Sequence, residues 1–332
     1  MRIALCYDLQ PSGGLSKQQP PDYYAEFDSE ETIAALEQAL QSLGHVVLRI
    51  GNLAKLAERL YCNATPPDWD RVFSIAEGLH GRAREAHIPA LLEAHNLPYV
   101  GSDALSLALS LDKALSKRLW REAGLPTADF AVISAEEMLA GALDRLELPL
   151  PWFAKPLHEG SSKGIDAGAK LNDLPQARRY CQYLLDSYQQ PVLLEPFLPG
   201  REFTVALLGT GAQARALGGL ELCSTLPDGY SSFQEKESWE RRQVQRFQPL
   251  PAGALGQELQ DIALQAYRSL QCRDMGRIDL RLDVSGAVQL LELNALPGLH
   301  PSHSAFANIA KNAGLSYPQL FEAILQSAAA RL

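Results

Sequence analysis

Hydrophobic and polar residues alternate between strand and helix patterns over the first hundred residues. An apolar run at 3–7 predicts a buried strand, and apolar residues recur at helical spacing from 33 to 43, ending before Gly44. Asp28 and Glu31 have the spacing of a capping box at the start of that helix. Strand patterns return at 45–50 and 71–76. Because alternating strands and helices build parallel sheets, we predict an α/β domain over residues 1–105.

The remainder of the chain predicts two α+β lobes, over residues 106–198 and 199–332. A helical pattern runs from 103 to 123, and the later strand patterns fall at 130–133, 152–156, 192–198, 202–208, 216–222, 277–283 and 288–294. Two helical segments end the chain. The predicted fold class is therefore α/β followed by α+β.

Composition and charge limit the possible functions. The chain has 332 residues, of which 46% are hydrophobic and 21% charged, and its net charge is −9. Those values are typical of globular proteins, and the acidic balance disfavours general binding to nucleic acid or to anionic membranes. Five widely spaced cysteines, no leader-like start and no apolar run of about 20 residues predict a cytoplasmic protein with reduced thiols.

A late hairpin brings the most informative residues together. Two alternating runs flank the Ser-Gly pair at 285–286, which predicts a two-residue turn. In that register Asp279 faces Glu292 and Arg277 faces Asn294, and all four side chains share one face of the sheet.

Two opposed carboxylates repel each other unless a cation lies between them. Oxygen ligands of this kind favour Mg²⁺ or Mn²⁺, and crowded carboxylates are typical of two-metal sites for phosphoryl transfer. The hairpin therefore predicts a metal site holding Asp279, Glu292 and Asn294. A solvated, merely polar hairpin face is the alternative.

Two further segments predict a nucleotide site. Lys155 ends a hydrophobic strand, where a charge is costly unless it is paired, and the loop at 159–164 can offer N–H groups and hydroxyls to phosphate oxygens. This loop is not a P-loop, and an ordinary turn is its alternative. Glu195 and Glu202 lie where an adenine slot and a ribose ligand would be needed, although Glu202 could equally be a surface charge.

Taken in order, these segments resemble the ATP-grasp fold and, more closely, the D-alanine–D-alanine ligase family. The matching segments are EGLHGRARE (77–85), LPYVGS (97–102), LDK (111–113), AGLP (123–126), KPLHEGSS (155–162), EPFLPGREFTV (195–205), GRID (276–279) and LELNALPG (291–298). The resemblance implies a pre-ATP-grasp N-terminal domain, ADP-forming ligation of a carboxylate to an amine through an acyl phosphate, ATP and two Mg²⁺ as cofactors, small-molecule substrates and a homodimer.

The resemblance also implies a role for each matching residue. The groups expected to bind ATP are Lys113, Lys155, Glu159, Ser161, Ser162, Glu195, Phe197, Leu198, Glu202 and, in a mobile loop, Lys236. The expected metal ligands are Asp279, Glu292 and Asn294. The expected catalytic groups are Arg277, Ser161, Gly298 and Lys236.

The departures from the family pattern fall on the substrate side. The family's Gly-Gly-x-Ser-x-Glu element is absent, Glu237 replaces a tyrosine, and His303 replaces a serine. The candidate substrate contacts are Glu26, His80, Glu85, Glu237, His303 and Ser304. We therefore expect retained ATP chemistry with changed amino-acid specificity, for example in secondary metabolism of the mycosporine type. Housekeeping D-alanine–D-alanine ligase is the alternative, and a non-catalytic ATP-binding regulatory protein is a third interpretation.

Overall fold

The computed structural model describes residues 1–11, 13, 16, 19–62, 67–223 and 246–331. Within these ranges the strands are β1 Arg2–Cys6, β2 Val46–Gly51, β3 Arg71–Ser74, β4 Tyr99–Val100, β5 Ala131–Ile133, β6 Trp152–Pro156, β7 Lys170–Leu171, β8 Val192–Pro196, β9 Glu202–Leu208, β10 Arg215–Cys223, β11 Arg246–Pro249, β12 Met275–Leu282 and β13 Val288–Asn294. The helices are α1 Glu30–Ser42, α2 Leu53–Cys62, α3 His87–Ala94, α4 Ala104–Leu111, α5 Lys113–Glu122, α6 Ala135–Leu139, α7 Leu174–Tyr188, α8 Ala254–Ser269, α9 Ala305–Asn312 and α10 Tyr317–Ala329. Among the described residues, no helix is both long and apolar enough to cross a membrane.

The first sheet is parallel, with strand order β2-β1-β3-β4. Strands β1 and β3 are buried on both faces between helices, so the predicted α/β start of the chain is confirmed. The predicted capping box is wrong, because Ser29 rather than Asp28 caps α1 and accepts a hydrogen bond from the Thr32 amide. Asp28 is thereby left available to line a cavity.

The second sheet is antiparallel, with order β5-β8-β6-β7, and α7 packs its apolar face against it. The helical pattern at 103–123 is two helices rather than one. The break falls at Asp112, whose extended backbone ends α4 and whose carboxylate caps α5 by accepting the Leu115 amide. This break points the N-terminus of α5, with Lys113, toward the loop after β6.

The third sheet is antiparallel, with order β11-β10-β9-β12-β13. One hydrophobic core runs from the first sheet into the third, since Phe73 of β3 packs in the same cluster as Leu208, Met275 and Phe321. The α/β and α+β parts therefore share buried surface, and the predicted fold class is confirmed.

The hairpin β12–β13 places the predicted pairs opposite each other, but its turn and its strand register differ from the prediction. Asp279 pairs with Glu292 and Arg277 with Asn294. The turn is longer than predicted, because Asp283 bonds to Ala287 across three residues. That longer turn alone would shift the register by one. A β-bulge between Asp279 and Leu280 restores the register, so the acidic pair still shares one face.

Candidate functional site

The hairpin face carries alternating opposite charges at close range. Arg277 contacts the Asp279 carboxylate, and its guanidinium also donates to the Thr204 hydroxyl at 3.0 Å. The Asn294 amide donates to the other Asp279 oxygen at 3.2 Å. These partners hold Asp279 at the mouth of a cleft with its charge compensated.

Lys113 connects this face of the hairpin to the loop at 159–164, which was predicted to bind phosphate. Its ammonium lies 3.6 Å from a Glu292 oxygen and also donates to the backbone carbonyl of Glu159. Its side chain is 6% exposed, so the charge is held in place by these two oxygens. The His158 ring, next to Glu159, is 3.2 Å from the Asp112 carboxylate that caps the same helix. The loop and the helix N-terminus are thereby tied together.

Glu195, Lys117 and Lys155 form a buried triad of charges. The Glu195 carboxylate lies 2.5 Å from the Lys117 ammonium and 3.2 Å from the Lys155 ammonium. Lys117 also donates to the Thr127 hydroxyl at 2.6 Å. Although burial opposes it, the two lysines hold the pKa of Glu195 below its usual value. Burial lowers the pKa of Lys117, whereas Glu195 raises that of Lys155 against the effect of burial.

Sequence reasoning missed Lys117. It follows Lys113 by four residues, so both project from one face of α5, and that spacing was the signal available. The side chain is fully buried, which distinguishes it from an ordinary surface lysine. The triad also means that both oxygens of Glu195 are already engaged by lysines.

The first cavity is an open cleft of about 790 Å³, including the solvent space at its mouth, and it has the character of a nucleotide-base slot. Phe153 and Phe197 lie 6.3 Å apart between ring centroids, and the Lys170 ammonium is 4.7 Å from the Phe197 ring. Glu202 lies at the rim, 2.9 Å from the Arg281 guanidinium. The cavity is lined by Phe153, Lys155, Ser162, Ile165, Glu195, Pro196, Phe197, Leu198, Glu202, Leu222, Arg277, Asp279, Arg281, Leu291 and Glu292. It therefore brings the predicted base and ribose residues together with two of the three predicted metal ligands, Asp279 and Glu292.

The loop after β6 is shaped by left-handed backbone at two serines. Ser161 has φ +48° and Ser162 has φ +59°. The two serines are the central residues of a turn that is closed by the Lys163 amide donating to the Gly160 carbonyl, and turns can present backbone N–H groups to an anion. A Cβ at residue 160 would lie 2.8 Å from a Glu26 oxygen, so a larger residue than Gly160 would push the Glu26 carboxylate away from the loop.

The N-terminal segment clamps this loop through Glu26. Its carboxylate accepts from Arg84 at 2.9 Å, from the Gly160 amide at 2.6 Å and from Lys163 at 3.3 Å. Although burial opposes ionisation, Arg84 and Lys163 hold the pKa of Glu26 below its usual value. Glu26 was predicted as a substrate contact. Its carboxylate already accepts hydrogen bonds from these three protein groups, and its side chain is only 6% exposed.

We expect Arg84→Lys to loosen this clamp. The Arg84 guanidinium donates to the His158 carbonyl through one nitrogen and to Glu26 through another. A lysine has a single ammonium nitrogen and cannot reproduce this planar, two-nitrogen geometry. The free energy of unfolding should fall by about 1–3 kcal/mol, and the KM for ATP should rise because the loop is less ordered. Urea denaturation and steady-state kinetics measure the two effects. Unchanged values for both would contradict the clamp.

A second cavity of about 1540 Å³ adjoins the first and shares Arg277 and Glu292 with it. The predicted residues that line it are Glu26, Glu85, Lys113, Glu159, Ser161, Arg277, Glu292, Asn294, Gly298, His303 and Ser304. His80 was predicted to contact substrate, but its side chain is exposed and outside this lining. Lys236 and Glu237 lie outside the described residues.

Asp28 lines the second cavity, and its charge is disfavoured there. Burial raises the pKa of Asp28 to about 7. The folded state therefore keeps a proton that the unfolded state loses near the ordinary aspartate pKa of 3.8. The stabilisation from this proton is complete below pH 3.8 and is lost as the pH rises to about 7. We expect Asp28→Asn to raise the melting temperature at pH 8 more than at pH 4. Thermal unfolding at both pH values tests this, with the exposed Asp261→Asn as control; equal shifts would contradict it.

Comparisons with known proteins show the family to which the chain belongs. The family model for the D-ala D-ala ligase C-terminus matches residues 119–326, which is more than half of the chain. A D-alanine–D-alanine ligase of Bordetella avium is 40% identical over 265 residues, covering 80% of each chain. A protein of Sinorhizobium fredii named y4sG and described as uncharacterized is 33% identical and covers 99% of this chain and 97% of its own.

Solved structures share the fold. The VanG D-Ala:D-Ser ligase of Enterococcus faecalis has a TM-score of 0.75 at 20% identity and covers 98% of this chain and 99% of its own. A D-alanine–D-alanine ligase of Bacillus anthracis complexed with ATP has a TM-score of 0.73 at 20% identity, covering 99% and 98%. The chain belongs to the D-alanine–D-alanine ligase family, with the ATP-grasp fold, and is an ATP-dependent, ADP-forming ligase.

Proposed function

We propose that this ligase joins a carboxylate to an amine through an acyl phosphate, with amino-acid specificity different from that of D-alanine–D-alanine ligation. The observation that carries the ligase part is the meeting of two cavities at Arg277 and Glu292. The first cavity has the character of a base slot and the second is open and polar. A triphosphate reaching from one into the other would place its terminal phosphate beside Lys113 and the serine loop.

The hairpin residues suit a divalent cation. Asp279, Glu292 and Asn294 offer carboxylate and amide oxygens, which are the ligands that Mg²⁺ or Mn²⁺ prefers. Within the described ranges, no group of three or more His, Cys, Asp and Glu side chains is arranged to hold a metal, so Asn294 would have to supply the third oxygen ligand here. When bound, the ion would neutralise phosphate charge.

The chain's own residues supply the remaining functions. Lys113 and Lys155 lie where they can neutralise phosphate oxygens, and the N–H groups at Ser161 and Ser162 can cradle them. Arg277 lies between the two cavities, where it can hold the developing oxyanion together with the backbone at Gly298. These roles are those expected of an acyl-phosphate ligase.

The changed specificity is supported by the contacts that the Glu26 carboxylate makes. In the predicted substrate set it was a candidate to hold an amino acid's ammonium, yet Arg84, Lys163 and the Gly160 amide already occupy its carboxylate. His303 and Ser304 instead lie at the other end of the cavity. An amine that binds here must therefore use other groups.

Ligation of D-alanine to D-alanine is the second candidate. It is favoured by the names of several relatives, among them a Bordetella petrii D-alanine–D-alanine ligase that is 38% identical over 281 residues. That match covers 85% of this chain, whereas the uncharacterized Sinorhizobium fredii relative covers 99%. The predicted homodimer and cytoplasmic location stay predictions.

A coupled assay for ADP formation separates the candidates. Purified protein with ATP and Mg²⁺ is offered D-alanine, L-alanine and pairs of other D- and L-amino acids. Robust turnover with D-alanine alone would overturn the changed specificity and support the second candidate. ATP binding by calorimetry without amino-acid-dependent ADP formation would instead support the non-catalytic interpretation and overturn both.

A further inference from the structure

Arg281 is a buried cation in the wall of the first cavity, and neither phosphate binding nor metal binding accounts for it. Arg277, Asp279 and Arg281 alternate along β12, so their side chains share one strand face, and all three line that cavity. The Arg281 side chain is 6% exposed. A charge that is largely removed from water is costly unless an acid pairs with it, so the partner of Arg281 indicates its role.

The acid that pairs with Arg281 is Glu202. The two residues lie directly opposite each other on the antiparallel strands β12 and β9. The Arg281 guanidinium donates to a Glu202 carboxylate oxygen at 2.9 Å, and opposite charges at facing positions of two strands stabilise each other. Because the Glu202 side chain is only 16% exposed, its carboxylate is held in the cavity wall and is not an ordinary surface charge.

Arg281 also contacts the aromatic side of the first cavity. Its guanidinium carbon lies 5.4 Å from the centroid of the Phe197 ring, which is within the range of cation–π attraction. The same arginine therefore contacts the residue expected beside the nucleotide base and the acid expected at the ribose. Its position is fixed from both sides, so it can fix the position of Glu202 in turn.

A carboxylate held in this way can still bind a sugar. An ionised carboxylate has about four lone-pair sites, so Glu202 can pair with Arg281 and accept further hydrogen bonds. Hydrogen bonds from hydroxyl groups to an ionised acceptor are stronger than those to a neutral one, and they weaken steeply when the angle is poor. The orientation of the Glu202 carboxylate therefore determines how well it accepts from ribose hydroxyls.

We propose that Arg281 is a positioning residue for the nucleotide, and that it orients the Glu202 carboxylate to accept hydrogen bonds from the ribose hydroxyls of ATP. The proposal rests on the first cavity being the ATP site of the proposed function. Arg281 acts through Glu202 and makes no contact of its own with the sugar. Its effect is therefore on the discrimination between ribose and deoxyribose.

The test compares ATP with 2′-deoxyATP and 3′-deoxyATP, each of which lacks one ribose hydroxyl. Titration calorimetry of the full chain with Mg²⁺ measures the three Kd values and requires no amino-acid substrate. We expect the wild-type protein to bind ATP about tenfold or more tightly than at least one deoxynucleotide, since hydrogen bonds to charged groups have that effect. Equal binding of all three would overturn the proposal and leave the ATP site intact. No binding of ATP would overturn the ATP site itself.

Two substitutions of Arg281 test its role. Arg281→Met removes the guanidinium and keeps a long side chain, so the preference for ATP over the deoxynucleotide should fall about tenfold, to the value found for Glu202→Gln. Arg281→Lys should keep part of the preference, because an ammonium group can pair with Glu202 but lacks the planar geometry of the guanidinium. An unchanged preference in Arg281→Met would overturn the proposal.

A double variant distinguishes positioning from direct contact. In the Glu202→Gln background, Arg281→Met should cause no further loss of preference, because the carboxylate through which Arg281 acts is already absent. A further tenfold loss would show that Arg281 binds the sugar itself and would overturn the positioning role. The double variant also removes both charges of the pair, so it provides the comparison if Arg281→Met alone does not fold.

Arg201→Met is the matched control. Arg201 also pairs with a glutamate, Glu221, and its guanidinium carbon lies 5.1 Å from the Phe203 ring, but it is outside the described lining of the first cavity. This variant should keep the wild-type preference for ATP. A loss as large as that in Arg281→Met would overturn the assignment, because it would show that the effect is not specific to the arginine that pairs with Glu202.

Discussion

Replacing Asp279 by asparagine is expected to lower kcat for ADP formation by about a hundredfold or more. A bound divalent ion supplies several kcal/mol of charge stabilisation in phosphoryl transfer, and each 1.4 kcal/mol is about a tenfold change in rate. Asparagine keeps the shape of the side chain but removes the charge that pairs with Arg277 and faces Glu292. Steady-state kinetics at saturating ATP, repeated over a range of Mg²⁺ concentrations, measures the loss.

The same hairpin provides the control. Asp283 lies at the turn, where its carboxylate accepts from the Ser285 and Ala287 amides. Asp283→Asn changes the same functional group on the same hairpin but at the end away from the cleft, so it should keep nearly full activity. Equal activity of the two variants would show that Asp279 is not a metal ligand. Calorimetric binding of ATP shows whether Asp279→Asn still forms the nucleotide site.

The second large effect concerns stability. Glu195→Gln should lower the free energy of unfolding by about 3–5 kcal/mol, which is the usual cost of removing one partner from a buried ion pair. The substitution leaves the ammonium groups of Lys117 and Lys155 with no carboxylate between them, and their side chains are 0% and 7% exposed. Urea denaturation followed by fluorescence measures the change.

Lys117→Met provides the contrast. It leaves Glu195 paired with Lys155 at 3.2 Å, so the remaining pair is neutral and the loss should be clearly smaller than for Glu195→Gln. If the two variants lose the same stability, the triad does not act as one electrostatic unit. The double variant Lys117→Met/Glu195→Gln should recover part of the loss, because one buried cation is then removed.

The β-strand and helix patterns of the chain were sufficient for the order of elements and the fold class. Period-two alternation placed β12 and β13, and the same alternation put Asp279 and Glu292 on one face. Helical spacing placed α1 but misplaced its cap, because Asp28 and Ser29 are both good capping residues and only packing chooses between them. The hairpin prediction gave the right residue pairs but a turn that was one residue too short. The pairs are right because a β-bulge compensates for the extra turn residue.

The sequence by itself determined the charged residues of the hairpin and the loop, because their local spacing forces them onto one strand face or into one turn. Only the tertiary structure decided which of those charges are paired. Glu26 meets Arg84 from 58 positions away, and Lys117 of α5 meets Glu195 of β8 from 78 positions away. Such pairing depends on contacts between segments far apart in the chain, which local periodicity does not encode. The pairing in turn distinguishes acidic side chains with a structural role from those that can bind a substrate.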